Sequence, residues 1–289
     1  MTDRERYFWD LSGYLILRGV LDSAEIAAAN AAIDHYAGSI KRGADNTLAR
    51  DSRSLRGSGR PTLHGLLRLE PPHCEPFRRM LAHPAVVMRL NAMCQPGFRL
   101  DHGPLLIAGV KGTEGFTLHG EGEPFRPWVG YHGRNGAGYC AGVTVTWQLR
   151  DVAAGDGGFA CVPGSHKSRY PKPDGVRTAD DHRGTVVQPA MRAGDVLFFM
   201  DGALTHGTLP WRGAGERRSI LFKYASRCAV RQWPDPVQVE PESFWDPAFV
   251  DGMTPEQRAV MYGPTSGRTD LVPALTVDAD GTVSVVPQR

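Results

Sequence analysis

In a chain of 289 residues, 33 Lys and Arg stand against 31 Asp and Glu, and the net charge of +2 excludes a protein that finds nucleic acid or membrane by bulk charge. With 41% hydrophobic and 22% charged residues the composition is that of a globular chain, not a disordered one. The charged start, Met1-Thr2-Asp3-Arg4-Glu5-Arg6, leads into no apolar run of signal or membrane-span length, so a cytoplasmic protein with no membrane and no nucleic-acid polymer among its partners is expected.

Taken in order, residues 14–17 read as a short buried strand, and Asp22 with Glu25 makes a capping box ahead of an Ala-rich helix over 26–36. Residues 39–60 scatter Lys41, Arg42, Arg50, Arg53, Arg56 and Arg60 among Gly, Ser, Asp and Asn without periodicity. This is a solvated loop, or a mobile flap that brings guanidinium groups to an anionic substrate. A helix is expected over 84–93, behind His83 and with Pro84 in its first turn. Cys74, Cys94, Cys140, Cys161 and Cys228 include no C-x-x-C pair and read as reduced thiols.

From residue 105 onward the pattern changes to short β-branched and aromatic runs divided by turn residues, at 105–111, 116–121, 142–149, 158–162, 185–188, 195–199 and 217–226. Residues 143–147 alternate cleanly, so one face is buried and the other is wet or lines a cavity. Strands of this number and length predict a double-sheet jelly roll. The whole chain, 1–289, is read as one domain, with an N-terminal helical part (1–99), a β core (about 100–226) and a C-terminal extension (227–289). The extension is Pro-rich, with Trp233, Phe244 and Trp245 as expected anchors and a short helix starting at Thr254-Pro255-Glu256-Gln257.

The chemistry centres on Leu118-His119-Gly120-Glu121. Residues i and i+2 of an extended strand project to one face, so His119 and Glu121 can reach one ion. A second histidine from another strand, His206, completes a two-histidine, one-carboxylate set of the kind that holds mononuclear iron(II) and leaves its opposite face open. A lone His-x-Glu is a weak signal, and a hydrogen-bonded structural histidine is its bland counterpart. Glu123, just before Pro124, is the poorer carboxylate candidate. His132, with Tyr131 and Trp128, lies in a Gly-rich insertion suited to wall a substrate pocket, and Pro163-Gly164-Ser165-His166-Lys167 reads as a tight structural turn.

Asp156-Gly157-Gly158-Phe159, the turn at 163–167, Gly194-Asp195-Val196-Leu197-Phe198-Phe199, His206, and the strand starting Arg217-Arg218-Ser219 follow one another in an order that resembles the phytanoyl-CoA dioxygenase-like family of iron(II)/2-oxoglutarate oxygenases. Residues 8–21 resemble that family's opening segment, and the resemblance runs to about residue 226. It implies a mainly β, cupin-like double-stranded β-helix flanked by N-terminal helices, with iron(II) and 2-oxoglutarate as cofactors and His119, Glu121 and His206 as metal ligands. The family usually has Asp where Glu121 stands, and relatives with Gly or Ala there are halogenases that bind chloride on iron. Arg217 falls where the family's 2-oxoglutarate-binding arginine lies, Thr208 adds a hydroxyl, and Trp147 takes the place of an aromatic beside the co-substrate. Arg218 should point the other way. The expected activity is hydroxylation of an unactivated C–H of a small, anionic metabolite, consuming dioxygen and releasing succinate and CO2. The alternatives are a halogenase of a nucleotide or amino-acid-like substrate, and a jelly-roll binding protein without catalysis. A zinc hydrolase would leave Arg217 without a role.

Overall fold

The helices begin where side chains satisfy their first free amides. Thr2 and Glu5 form a capping box on α1 (Asp3–Ser12), and Asp22 and Glu25 form another on α2 (Ser23–His35). After α3 (Glu75–Leu81), His83 Nδ1 accepts from the Ala85 amide at 3.2 Å to start α4 (Pro84–Met93). This computed structural model describes residues 1–120, 130–134, 136–229, 231–232, 236–237, 241–263 and 273–287. Its first twelve strands are β1 (Tyr14–Leu17), β2 (Lys41–Arg42), β3 (Pro61–His64), β4 (Arg99–Gly109), β5 (Phe116–His119), β6 (Tyr131–Arg134), β7 (Ala137–Cys140), β8 (Gly142–Gln148), β9 (Gly158–Cys161), β10 (Val196–Met200), β11 (His206–Leu209) and β12 (Arg217–Ala225).

Seven strands pair antiparallel in the order β1-β10-β8-β12-β4-β3-β2, three more form the sheet β5-β11-β9, and β6 and β7 make a hairpin. This is the mainly β, two-sheet jelly roll expected. Alternation divides the large sheet into two faces. Val143, Val145 and Trp147 of β8 and Ile220, Phe222 and Tyr224 of β12 join Ile33, Phe77, Leu81 and Leu90 of the helices in one core. Tyr224 Oη donates to the Leu81 carbonyl at 2.9 Å, and the Trp147 ring stands edge-on to His83 with centroids 5.4 Å apart. Each such side chain contributes about 1.5–3 kcal/mol through burial. The residues between them, Thr144, Thr146 and Gln148 on β8 and Arg217, Ser219 and Lys223 on β12, face the three-stranded sheet.

Several expectations need correction. The run 185–188 is not a strand but a single bridge, Val187 with Cys161, and Pro189 has no amide to extend it. The C-terminal extension is more ordered than its composition suggests, since Pro273–Val277 and Val283–Pro287 form a hairpin whose Leu275 carbonyl accepts from Asn91 Nδ2 at 2.7 Å. Trp245 is buried while Phe244 is exposed, and Trp233 lies outside the described residues.

The Arg-rich segment is not a free flap. Glu114 Oε2 accepts from the amides of Leu48 (3.1 Å) and Ala49 (3.0 Å), Asp45 Oδ1 from Gly59 (2.8 Å), and Asp180 Oδ1 from Ser54 (2.8 Å). Its carbonyls in turn bond to the β5 region, Leu48 taking the Thr117 amide at 3.2 Å and Leu55 the Gly115 amide at 2.8 Å. β5 is an outer strand of its sheet, and this segment covers the edge it would otherwise leave open. Arg53 and Arg56 are exposed, and only Arg60 of the six cations turns inward. Among the described residues no helix is long and apolar enough to cross a membrane.

Candidate active site

His119 and His206 are direct cross-strand partners between β5 and β11, with ring centroids 4.4 Å apart. Each ring is oriented the same way. His119 Nδ1 lies 2.9 Å from the Thr117 carbonyl, and His206 Nδ1 lies 2.8 Å from that of Leu204. A carbonyl only accepts, so each Nδ1 carries the proton and each Nε2 is left with a bare lone pair, the form a metal takes. His206 is buried and His119 is open at the rim. Burial, and then the neighbouring His119 ring, lower the His206 imidazole below its ordinary value and keep it neutral. Gly120 is required between the two candidate ligands of the first motif. Its φ is 154°, and a Cβ there would sit 2.6 Å from the Leu204 carbonyl that orients His206. Glu121 lies outside the described residues, and among those described no three His, Cys, Asp or Glu side chains form a metal cage.

Behind the histidines, the space between the sheets ends in cations. Arg217 is buried at 4% exposure; its Nε donates to Ser219 Oγ at 3.0 Å, and Ser219 donates to Gln148 Oε1 at 2.8 Å. This chain fixes the guanidinium plane while leaving its two terminal nitrogens free to fork onto a carboxylate. The guanidinium packs on Gly158, where a Cβ would lie 3.3 Å from its Cζ. Arg60 is close enough for its charge to act on Arg217, and its own guanidinium stands 5.6 Å from the Phe116 ring centre. Neither arginine has an ion-pair partner among the described residues. Glu114, the nearest compensating charge to Arg60, spends Oε2 on backbone amides. Burial, with Arg60 adding to it, brings the Arg217 guanidinium down to about 9. It stays charged at neutral pH, and a buried guanidinium with no ion-pair partner among the described residues is a place for an anion.

The structure therefore brings His119, His206 and Arg217 to one inter-sheet space. Thr208, two residues after His206 on β11, is buried opposite Phe116 and Phe159 and makes no hydrogen bond to a described residue through its hydroxyl. Trp147 does not belong there. Alternation along β8 turns its ring onto the helix-covered face against His83, and Gln148 is the residue that faces the arginine. Arg218 points outward as expected, pairing with Asp34 and Glu216, each at 2.6 Å. His166 is structural, its Nε2 lying 2.8 Å from the Asp10 carbonyl.

The hairpin β6–β7 puts Tyr131 and His132 on one wall of a cleft of about 1020 Å³ that Val162, Lys167, Lys172 and Thr205 also line. Lys172 of this cleft is close enough for its charge to act on His119. Trp128 lies outside the described residues. Gln148, Ser219 and Asp201 were given no role from the sequence, and Arg60 only as one of the six cations of the 39–60 segment. Ser219 sits at i+2 from Arg217 and Gln148 is a polar break in an apolar run, both readable in principle; nothing local marks Arg60.

The donor set fits its cofactors: two neutral imidazoles with Nε2 free suit iron(II), and the unpaired guanidiniums suit a dicarboxylate. A non-haem iron enzyme that uses 2-oxoglutarate is the class these features define. The family model described as phytanoyl-CoA dioxygenase matches residues 9–219, and the chain belongs to that family. Among solved structures it is similar to HygX from Streptomyces hygroscopicus with nickel and 2-oxoglutarate bound, at 21% identity over 80% of this chain and 89% of that one, with a TM-score of 0.65. It is also similar to the non-heme alpha ketoglutarate dependent carbocyclase SnoK (17% identity, 93% and 94% coverage, TM-score 0.58) and epimerase SnoN (20%, 78% and 83%, 0.55), both from nogalamycin biosynthesis. At these identities the likeness is one of fold. No curated protein matches in sequence.

Proposed function

We propose that the protein hydroxylates an unactivated C–H bond of a small, anionic metabolite, coupled to conversion of 2-oxoglutarate to succinate and CO2. The observation that carries this reading is the pairing of two bare Nε2 atoms in register with a buried, carboxylate-free Arg217 behind them. His119, His206 and Glu121 would hold the iron. Arg217, with Arg60 adding positive potential and Thr208 a hydroxyl, would seat the distal carboxylate of the co-substrate. Iron and 2-oxoglutarate held there would supply the dioxygen chemistry, with one oxygen atom for succinate and the other for the substrate.

The protein's share is orientation and exclusion of water. The Ser219–Gln148 chain keeps the Arg217 fork in plane, and Phe199 and Phe159 pack an apolar wall against His206, with Phe199 to His206 centroids 4.5 Å apart. The Arg-rich segment no longer argues for an anionic substrate, because most of it faces solvent. Arg169 and Lys172 along the cleft do. HygX has been crystallised with hygromycin B, and SnoN with nogalamycin RO, so small natural products reach comparable sites in proteins of this fold. Five free cysteines suit a reducing compartment, and we place the enzyme in the cytoplasm.

Anaerobic addition of Fe(II) and 2-oxoglutarate should give a weak visible charge-transfer band that H206A lacks. No band in the native protein would overturn the oxygenase reading. Turnover of candidate metabolites with and without chloride, read by product mass, separates hydroxylation from halogenation. A carboxylate at 121 leaves chloride no vacancy, so a chlorinated product would refute hydroxylation and the ligand role of Glu121 together.

A further inference from the structure

The bare nitrogen of His206 has a neighbour that a two-histidine, one-carboxylate set does not require. Asp201, just after β10, places Oδ1 at 3.8 Å from His206 Nε2, while its Oδ2 accepts from Lys223 Nζ at 3.4 Å. The Asp201 amide donates to the Gly142 carbonyl at 3.1 Å, so the sheet fixes where this carboxylate sits. Because the His206 proton is on Nδ1, Oδ1 faces a lone pair. Two electron-rich atoms at that separation repel unless positive charge lies beside both, and Lys223 engages only the far oxygen.

A metal ion in the two-histidine site supplies that charge. Direct ligation by Asp201 does not match the spacing. With bonds of about 2.1 Å to nitrogen and oxygen, neighbouring ligands of an octahedral ion sit about 3 Å apart and opposite ones about 4.2 Å, and 3.8 Å is neither. Nor does Asp201 complete a cage with the two histidines among the described residues. A water on the metal spans the difference, with a polarised O–H for the carboxylate to accept. Lys223 and Arg217 lie at opposite ends of β12, about 20 Å apart along the strand. Asp201 therefore works from the side away from the co-substrate anchor.

We propose that Asp201, braced by Lys223, is a positioning residue that accepts a hydrogen bond from a metal-bound water on the side of the centre away from Arg217 and holds that water in place. This rests on the iron-site reading above. The test is anaerobic Mn(II) titration of the native protein, D201A, D201N and K223Q, followed by the EPR signal of free Mn(II), with melting of each metal-free variant as a control for folding. D201A should bind Mn(II) about 10- to 100-fold more weakly, D201N and K223Q less so, all with native metal-free melting. Unchanged affinity in D201A, or a lowered melting temperature with unchanged affinity, overturns the proposal while leaving the iron site standing. Failure of the native protein to bind Mn(II) removes both. Line broadening in ¹⁷O-enriched water counts the waters on Mn(II); the count should be equal in native and D201N protein, and an extra water in D201N would make Asp201 a direct ligand and refute the outer-sphere role.

Discussion

The two faces of β8 and β12 were built from the same stretches of chain and do opposite work. On the outer face Val143, Val145, Trp147, Ile220, Phe222 and Tyr224 meet the helices and are nearly all carbon. On the inner face Thr144, Thr146, Gln148, Arg217, Ser219 and Lys223 occupy the alternate positions, and all but Lys223 are buried there. Polar groups cost free energy in a place where apolar ones would fold the protein equally well. Their concentration on the inner face, with Leu221 its apolar exception and the ion-paired Arg218 the charged exception on the outer one, therefore separates residues kept for binding from residues kept for stability.

The sharpest way to break this division is at the metal. H206A or H119A should lower iron affinity and turnover by more than about 100-fold, beyond what loss of an outer-sphere partner costs, with little change in melting; Fe(II) titration and succinate release measure it. Next comes Arg217. Replacing an uncompensated buried guanidinium with an apolar side chain of similar length removes a desolvated charge, so R217M should melt higher than the native protein without cofactors. The same change should raise the KM for 2-oxoglutarate by about 30-fold or more, the equivalent of about 2 kcal/mol for a lost buried charge pair. A variant that is both less stable and normal in co-substrate binding would place Arg217 in the wrong category. Trp147 should do the reverse: W147A is expected to cost about 3–5 kcal/mol in denaturant unfolding, while the KM for 2-oxoglutarate of the folded fraction stays native.

How much of this was legible beforehand follows from range. His119, His206 and Arg217 stand out because each lies in a short motif, and the turn-divided runs after residue 105 disclose a two-sheet β fold through period and punctuation alone. Trp147 was misassigned because alternation says which residues share a face and not which face is the core; the helices that decide it come from residues 23–93. Arg60 and the covered edge of β5 were not legible for the same reason. They depend on residues 48–60 meeting 114–117, a pairing between irregular backbone and a strand that leaves no periodic mark. The histidine orientation depends on backbone carbonyls, which no side-chain pattern encodes.

Gln148 tests the inner face at finer grain. Its Oε1 accepts from Ser219 Oγ, its Nε2 has no hydrogen-bond partner among the described residues, and it is fully buried. Trp147 leaves its buried Nε1 open as well, so it is the place of Gln148 beside Ser219 and Arg217 that assigns it to the co-substrate end. Q148L should leave unfolding free energy near native and raise the KM for 2-oxoglutarate by roughly 10-fold, about one lost hydrogen bond to a charged group. An equal effect on the substrate's KM would mean that the cavity as a whole had deformed.

The smallest expected effect lies at the edge of the other sheet, on the side of β5 away from β11. Slight burial opposes the Asp180 carboxylate, but hydrogen bonds from Ser54 and Arg53 win and hold its carboxyl down to about 2. A carboxyl lowered on folding stabilises the folded form at pH above its ordinary range, and that contribution disappears as pH falls through the folded value. The latch on residues 52–55 should therefore hold from neutral pH to about 4 and release toward 2. Because this segment covers β5, release should speed hydrogen exchange at the Gly115 and Thr117 amides ahead of any exchange in β8 or β12. D180A should show the faster exchange already at pH 7 and little further change on acidification, with Fe(II) affinity within a few-fold of native. Exchange that accelerates equally on both sheets would mean that the acid effect is global unfolding and that Asp180 guards no particular edge.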